Sequence, residues 1–125
     1  MKEKLINNME RHIIEDKYYI DIFNAITDYL RENPDEFRYE GDYYDQYRYE
    51  LGLRDYKLLE LFYEINNGIK IISIIVEANI AVFDLEDIGL NRTITEKLHI
   101  EINTDSDYEN LKVVYVGKCL FTPLQ

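Results

Sequence analysis

The stretch IKIISIIVEANIAVF, running from Ile69 to Phe83, decides how this chain folds. Its alternation puts Ile72, Ile74, Val76, Ala78, Ile80 and Val82 on one side and Ile71, Ser73, Ile75, Glu77 and Asn79 on the other. That period of two is what a strand requires. The run is too short, and too interrupted by Lys70, Ser73, Glu77 and Asn79, to cross a bilayer as a helix. It reads either as one long bent strand or as a hairpin turning between Glu77 and Asn79. Downstream, Asp84 to Asn91 reads as a loop around Gly89. Alternation then resumes through Ile94, Glu96, Leu98, Ile100 and Ile102. Asn103 to Asn110 reads as a polar turn, and Leu111 to Phe121 as a last strand.

Upstream the period changes. Leu5, Ile6, Met9 and Ile13 recur at three- and four-residue steps, and after Asp16 the pattern restarts with Tyr19, Ile22, Phe23, Ile26 and Leu30. This predicts one bent helix, or two helices meeting near Asp16. Asn33-Pro34 ends it, because the residue before proline is pushed out of the helical region. A helix is expected from Asp42, with Tyr44, Tyr47 and Leu51 on one face and Gly52 as its C-terminal residue. Another is expected from Asp55, burying Leu58, Leu59, Phe62 and Ile65 and stopping at Asn66-Asn67-Gly68. Helices followed by antiparallel strands make an α+β fold, with N-terminal helices packed on one face of a C-terminal three- to four-stranded antiparallel sheet. The expected organisation is one domain over residues 1–125, mainly helical over 1–67 and mainly β over 68–125.

The 125 residues carry 25 Asp plus Glu against 14 Lys plus Arg, a formal charge of −11. Direct binding to nucleic acid or to an anionic membrane is disfavoured, because either partner needs a positive footprint. The N-terminus shows no signal-peptide pattern, and a single cysteine, Cys119, fits a reducing compartment. A cytoplasmic protein is therefore expected, and frequent Ile, Asn, Lys, Glu and Tyr without Trp fits an AT-rich coding sequence.

Chemistry-bearing motifs are few. His12 lies beside the apolar positions of the first helix and His99 in a strand; Ser73, Ser106 and Cys119 are the isolated nucleophile options. Arg92 stands seven residues before His99, but the strand pattern between them makes the spacing incidental. Asn103, Asp105, Asp107 and Glu109 alternate like the opening of a calcium loop, yet the glycine at loop position six is missing and Val114 stands where the closing Glu belongs. No phosphate loop, paired-cysteine zinc motif or HExxH occurs. No catalytic residue, cofactor or metal is expected, and the chain is read as a non-enzyme.

Two features remain. Charge is segregated: Asp28 to Glu64 holds 11 acidic and 5 basic residues, and Asp84 to Glu109 holds 8 and 2. On helices, Asp21, Asp28 and Glu32 would form one stripe, and Glu60 and Glu64 would stand one turn apart. Tyrosine is clustered: seven of twelve lie between Tyr39 and Tyr63, five of them within Tyr39 to Tyr49 among Glu40, Asp42, Asp45 and Glu50. A core uses only one side of that segment, so some rings face outward. Exposed Tyr amid carboxylates suits an interface with Arg and Lys. The expected partner-binding residues are Asp42, Tyr43, Tyr44, Asp45, Tyr47 and Glu50, with a Tyr-rich layer around the core or a homodimer seam as the competing explanations.

In size, acidity and clustering of Tyr with Asp and Glu, the chain resembles small inhibitor proteins of phages and mobile elements, including anti-restriction and anti-CRISPR proteins. The likeness is one of composition and transfers no residues. It implies an inhibitor that mimics nucleic acid and occupies the basic surface of a nucleic-acid-binding host defence enzyme or complex. The alternatives are an immunity or antitoxin protein capping a basic toxin, and a small hydrolase working through Asp or Glu carboxylates.

Overall fold

The computed structural model describes residues 4–5, 8–33, 36, 49–84, 92–105 and 109–119. The chain runs through β1 (Lys4–Leu5), α1 (Asn8–Lys17), α2 (Tyr19–Glu32), β2 (Tyr49–Asn66), β3 (Ile69–Asp84), β4 (Arg92–Thr104) and β5 (Leu111–Lys118). The strands form one antiparallel sheet in the order β1-β2-β3-β4-β5, in which β1 is a two-residue edge piece and β2 to β5 are long. Two helices pack on one face of it, the α+β arrangement that the sequence predicts.

The run that opens the sequence reading is one uninterrupted strand. Ile72, Ile74, Val76, Ala78, Ile80 and Val82 are all buried beneath the helices, each at 2% exposure or less. The hairpin alternative fails because Glu77, Ala78 and Asn79 are paired on both sides, to β2 and to β4. From β4, Leu98, Ile100 and Ile102 join the same core. Above them α2 contributes Ile22, Ile26 and Leu30, spaced one turn apart and fully buried. Each such side chain contributes roughly 1.5–3 kcal/mol by leaving water. The helix packs against both β2 and β5 and so crosses the sheet.

Of the two helical alternatives, the structure has the broken one. Tyr18 separates α1 from α2 with φ −112° and ψ 11°, and its ring is buried in the core. The helix ends where proline demands. Asn33 donates to the carbonyl of Tyr29 twice, from its backbone N–H and from Nδ2, both at 3.0 Å.

The second half of the helical expectation is overturned. Residues 55–65 are not a helix but the body of β2, and Leu51 and Gly52, expected at the end of a preceding helix, are also in that strand. Residues 42–48 of that preceding helix lie outside the described residues. The physical reason is two β-bulges. Leu53 faces Ile80 and Asp55 faces Asn79, so Arg54 is an extra residue; Leu58 faces Val76 and Glu60 faces Ile75, so Leu59 is another. Each bulge shifts the alternation by one. Inward residues thus fall at Leu51, Leu53, Tyr56, Leu58, Leu61 and Tyr63, a 2-3-2-3-2 spacing that breaks strict alternation and includes helix-like steps at 53/56, 58/61, 51/58 and 56/63.

Asn67-Gly68, expected to stop a helix, instead closes the β2–β3 hairpin. Both residues have positive φ, 54° and 80°, and Asn66 faces Ile69 across them. That is the two-residue turn whose twist matches the strands it joins. Gly68→Val should cost about 1–2 kcal/mol, since a β-branched residue resists this backbone region. A urea melt checks it, and Asn67→Gly should be far milder.

Among the described residues, β1 covers β2 only at Phe62 and Tyr63. The rest of that edge carries the two bulges and Arg54, Asp55, Lys57 and Glu60, features that discourage edge-to-edge pairing. The Arg11 guanidinium donates to the carbonyl of Leu58, at the second bulge, and pins α1 there.

Candidate functional site

Of the partner-binding residues expected from sequence, Asp42, Tyr43, Tyr44, Asp45 and Tyr47 lie outside the described residues. Glu50 is in β2, exposed, and faces Phe83, itself 43% exposed. The topology does fix where residues 37–48 and 85–91 attach. Tyr49 pairs with Asp84, and Arg92 with Val82, so the residues before β2 and those between β3 and β4 join neighbouring strand ends. Strand β5 runs toward the same end but stops opposite Leu98, where Lys118 Nζ donates to the carbonyl of Glu36 at 2.9 Å.

Along α2, Asp21, Asp28 and Glu32 are all exposed, as their helical spacing implies. Glu60 and Glu64 are not one helical turn apart. In β2 they flank Phe62 on the sheet face away from the helices, about 13 Å apart at strand rise.

No described element covers that second face, and its two halves differ. Between the exposed Phe83 at the strand ends and the middle of the sheet it carries polar rows bonded across strands. Asn79 Nδ2 donates to Asp55 Oδ1 at 2.6 Å, and Thr95 Oγ1 donates to Asn79 Oδ1 at 3.0 Å, a ladder across three strands. The next row sets Glu77 between Lys57 and Lys97. Toward the Asn67-Gly68 turn the face becomes apolar and aromatic: Phe62, Ile71 and Ile75 are half-buried, while Ile69 and Tyr115 are 47% and 44% exposed. Tyr115 meets His99 edge-on, with ring centroids 5.5 Å apart. Its ring lies over Gly117, where a Cβ would collide with the hydroxyl and stand 2.8 Å from Cζ. Sequence reasoning missed this surface. The available signal was the second face of the Ile69 to Phe83 run, where Ile71 and Ile75 stand at positions that a solvated sheet face fills with polar residues.

On the helix side, Arg11, Glu15, Asp16, Tyr19, Tyr56, Lys57 and Leu58 line a half-open cleft of about 380 Å³. Tyr19 and Tyr56 stack in its wall with centroids 4.6 Å apart, and the Tyr56 hydroxyl donates to the Tyr19 carbonyl at 3.2 Å. Burial, with smaller contributions from Tyr19 and Glu15, pushes the Tyr56 phenol far above its ordinary range, so it stays protonated. Arg11 Nε donates to Glu15 at 2.6 Å, which together with its bond to Leu58 fixes the guanidinium. These groups hold α1 and α2 to β2, and Tyr56 is unsuited to act as a base.

His12 is exposed on α1, and His99 lies on the open face with Nε2 3.9 Å from Glu101 Oε1, so the sheet separates the two. The backbone N–H of Cys119 donates to Lys97 at 2.9 Å, Ser73 faces Glu101 and Phe62, and Ser106 lies outside the described residues. In the expected β4–β5 turn, the Asp105 carboxylate accepts bonds from the Glu109 N–H at 2.8 Å and from Asn110 Nδ2 at 2.9 Å. Among the described residues no three His, Cys, Asp or Glu side chains are placed to hold a metal ion, and no helix is long and apolar enough to cross a membrane. The variant His12→Ala should keep its biological activity if it still melts cooperatively; loss of activity in the folded variant would instead favour an enzyme. Comparison with protein-family models, with curated proteins and with solved structures finds no match for this chain.

Proposed function

We propose that this chain is a small acidic binding protein without enzymatic activity, an inhibitor of the phage or mobile-element type. It acts in the bacterial cytoplasm by occupying the basic nucleic-acid-binding surface of a host defence protein. One observation supports this above the rest: the pairing of Tyr49 with Asp84 sets the start of β2 beside the end of β3. The segment holding Asp42, Tyr43, Tyr44, Asp45 and Tyr47 therefore leaves from beside the one holding Glu86 and Asp87, with Glu50 at their junction. Acidic segments that attach side by side favour a basic groove as partner, and the tyrosines among them offer flat rings for guanidinium groups.

The test uses the partner recovered from the native host. Association should be fast and should weaken steeply between low and moderate salt, where screening shortens the reach of a carboxylate to about 8 Å. Asp42→Lys with Asp45→Lys should slow association, whereas Tyr47→Ala should mainly speed dissociation. DNA or RNA should compete for the partner. Binding indifferent to salt, or simultaneous binding of nucleic acid, would replace mimicry with an apolar or allosteric mode.

A further inference from the structure

We infer that the turn-proximal half of the open sheet face is a second contact surface, fitted to an arginine-bearing segment of a protein partner. This rests on the reading that the partner is basic, and it adds a surface distinct from the acidic end of the sheet. The observations are the composition and the setting of that half-face. Phe62, Ile71, Ile75 and Tyr115 surround Ser73 and Glu101, which stand between Phe62 and Tyr115 in one row across the strands, while Glu60 and Glu64 flank Phe62 along β2 and Lys112 faces Asn103 at the turn end. Aromatic and aliphatic side chains around a carboxylate suit a guanidinium that stacks on a ring while it hydrogen-bonds the acid, and single-face antiparallel sheets without a partner are normally polar there. The other half of the same face has the bonded row Asp55, Asn79 and Thr95, with Phe83 exposed beyond it opposite Glu50.

Tyr115 is set for stacking. Gly117 leaves room for the ring to lie against the strand, and the edge contact with His99 fixes its tilt, so half of the ring faces solvent without further ordering. A guanidinium can stack on that ring while its N–H groups reach the Glu101 carboxylate, whose strand neighbour across the ladder is Tyr115. Charge complementarity selects this occupant over a second copy of the chain. A second copy would bring Glu60, Glu64 and Glu101 against an equally acidic molecule with a net charge of −11.

The probe is a short peptide alternating arginine with valine, titrated into the full chain and followed by backbone amide shifts, with lysine and glutamate versions as controls. Shifts should concentrate at residues 60–64, 71–75, 99–101 and 115. Affinity should follow arginine over lysine, and the glutamate peptide should not bind. Tyr115→Ala, and separately Glu60→Gln/Glu64→Gln/Glu101→Gln, should each weaken binding roughly tenfold or more. The matched variant Asp21→Asn/Asp28→Asn/Glu32→Gln on α2 should leave it within about twofold. Equal weakening by the α2 variant would show general charge attraction and overturn the proposal. A concentration-dependent dimer that dissolves on Tyr115→Ala would also overturn it, by assigning the face to a second copy. If the Asp42/Asp45 experiment succeeds while these variants change nothing, this surface alone is wrong. If the arginine peptide binds nowhere, the basic-partner reading falls with it.

Discussion

Ile74→Asp should unfold the domain at neutral pH. Ile74 sits at the middle of β3, fully buried, with Leu61 on one side and Ile100 on the other. A carboxylate there would have no water and no cationic neighbour in its row. Losing the apolar side chain alone costs about 2–5 kcal/mol, and keeping a carboxyl protonated in such a site adds several kcal/mol at pH 7. The sum is comparable to the whole stability of a typical domain, about 5–15 kcal/mol. The buried carboxyl would have a raised pKa, so the variant should be least unstable below the ordinary Asp value, near 4, and lose stability as pH rises above it. Ile74→Val should cost only about 0.5–1.5 kcal/mol. Circular dichroism melts at pH 4 and pH 7 read both effects. A wild-type-like cooperative melt of Ile74→Asp at pH 7 would show that the core lies elsewhere.

Tyr56→Ala should be the next most damaging change outside the sheet centre, at about 3–5 kcal/mol. Its ring is buried in the wall between β2 and the start of α2, stacked on Tyr19, and its hydroxyl holds the Tyr19 carbonyl. Tyr56→Phe keeps the ring and loses only the hydrogen bond, near 1 kcal/mol. The two variants also separate packing from ionisation. Folding raises the Tyr56 pKa, whereas the unfolded chain ionises near the ordinary value of 10. The stabilisation is therefore complete below pH 10 and is lost as pH rises above it. The wild type should lose stability between pH 10 and 11 more steeply than Tyr56→Phe. Parallel curves for the two would mean that the phenol ionises as easily in the folded chain as in the unfolded one.

These expectations bear on function through one geometric fact. The helices occupy a single face, so every strong anchor between helix and sheet, including Tyr56, Arg11 and the Ile22-Ile26-Leu30 row, lies on the side away from Phe62 and Tyr115. Substitutions on the open face can therefore be made without touching the core. That makes Tyr115→Ala and the glutamine variants usable probes of binding, provided that their melts stay cooperative.

The sequence by itself determined a strand period from Ile69 onward and helical periods before Asn33, because each repeat is regular; whether the Ile69 to Phe83 run turned, whether the helix broke and that Leu5 is in β1 came from pairing and packing. The alternation of Ile72, Ile74, Val76, Ala78, Ile80 and Val82 named the core face residue by residue, and Asn33-Pro34 named the end of α2. It also established the charge of −11 and the two acidic stretches. Only the tertiary structure decided that residues 49–66 are a strand. Periodicity is read relative to a fixed phase, and the extra residues Arg54 and Leu59 reset that phase twice, which a pairing partner reveals and a lone segment does not. The same error hid the open face. Glu60, Phe62 and Glu64 fall on one side only when the chain is extended, and they meet Ile71, Ile75, Glu101 and Tyr115 only through hydrogen-bonded register across four strands. Which residues share a helical stripe is a local property of the chain, whereas which residues share a sheet face is set by pairing between segments far apart in sequence.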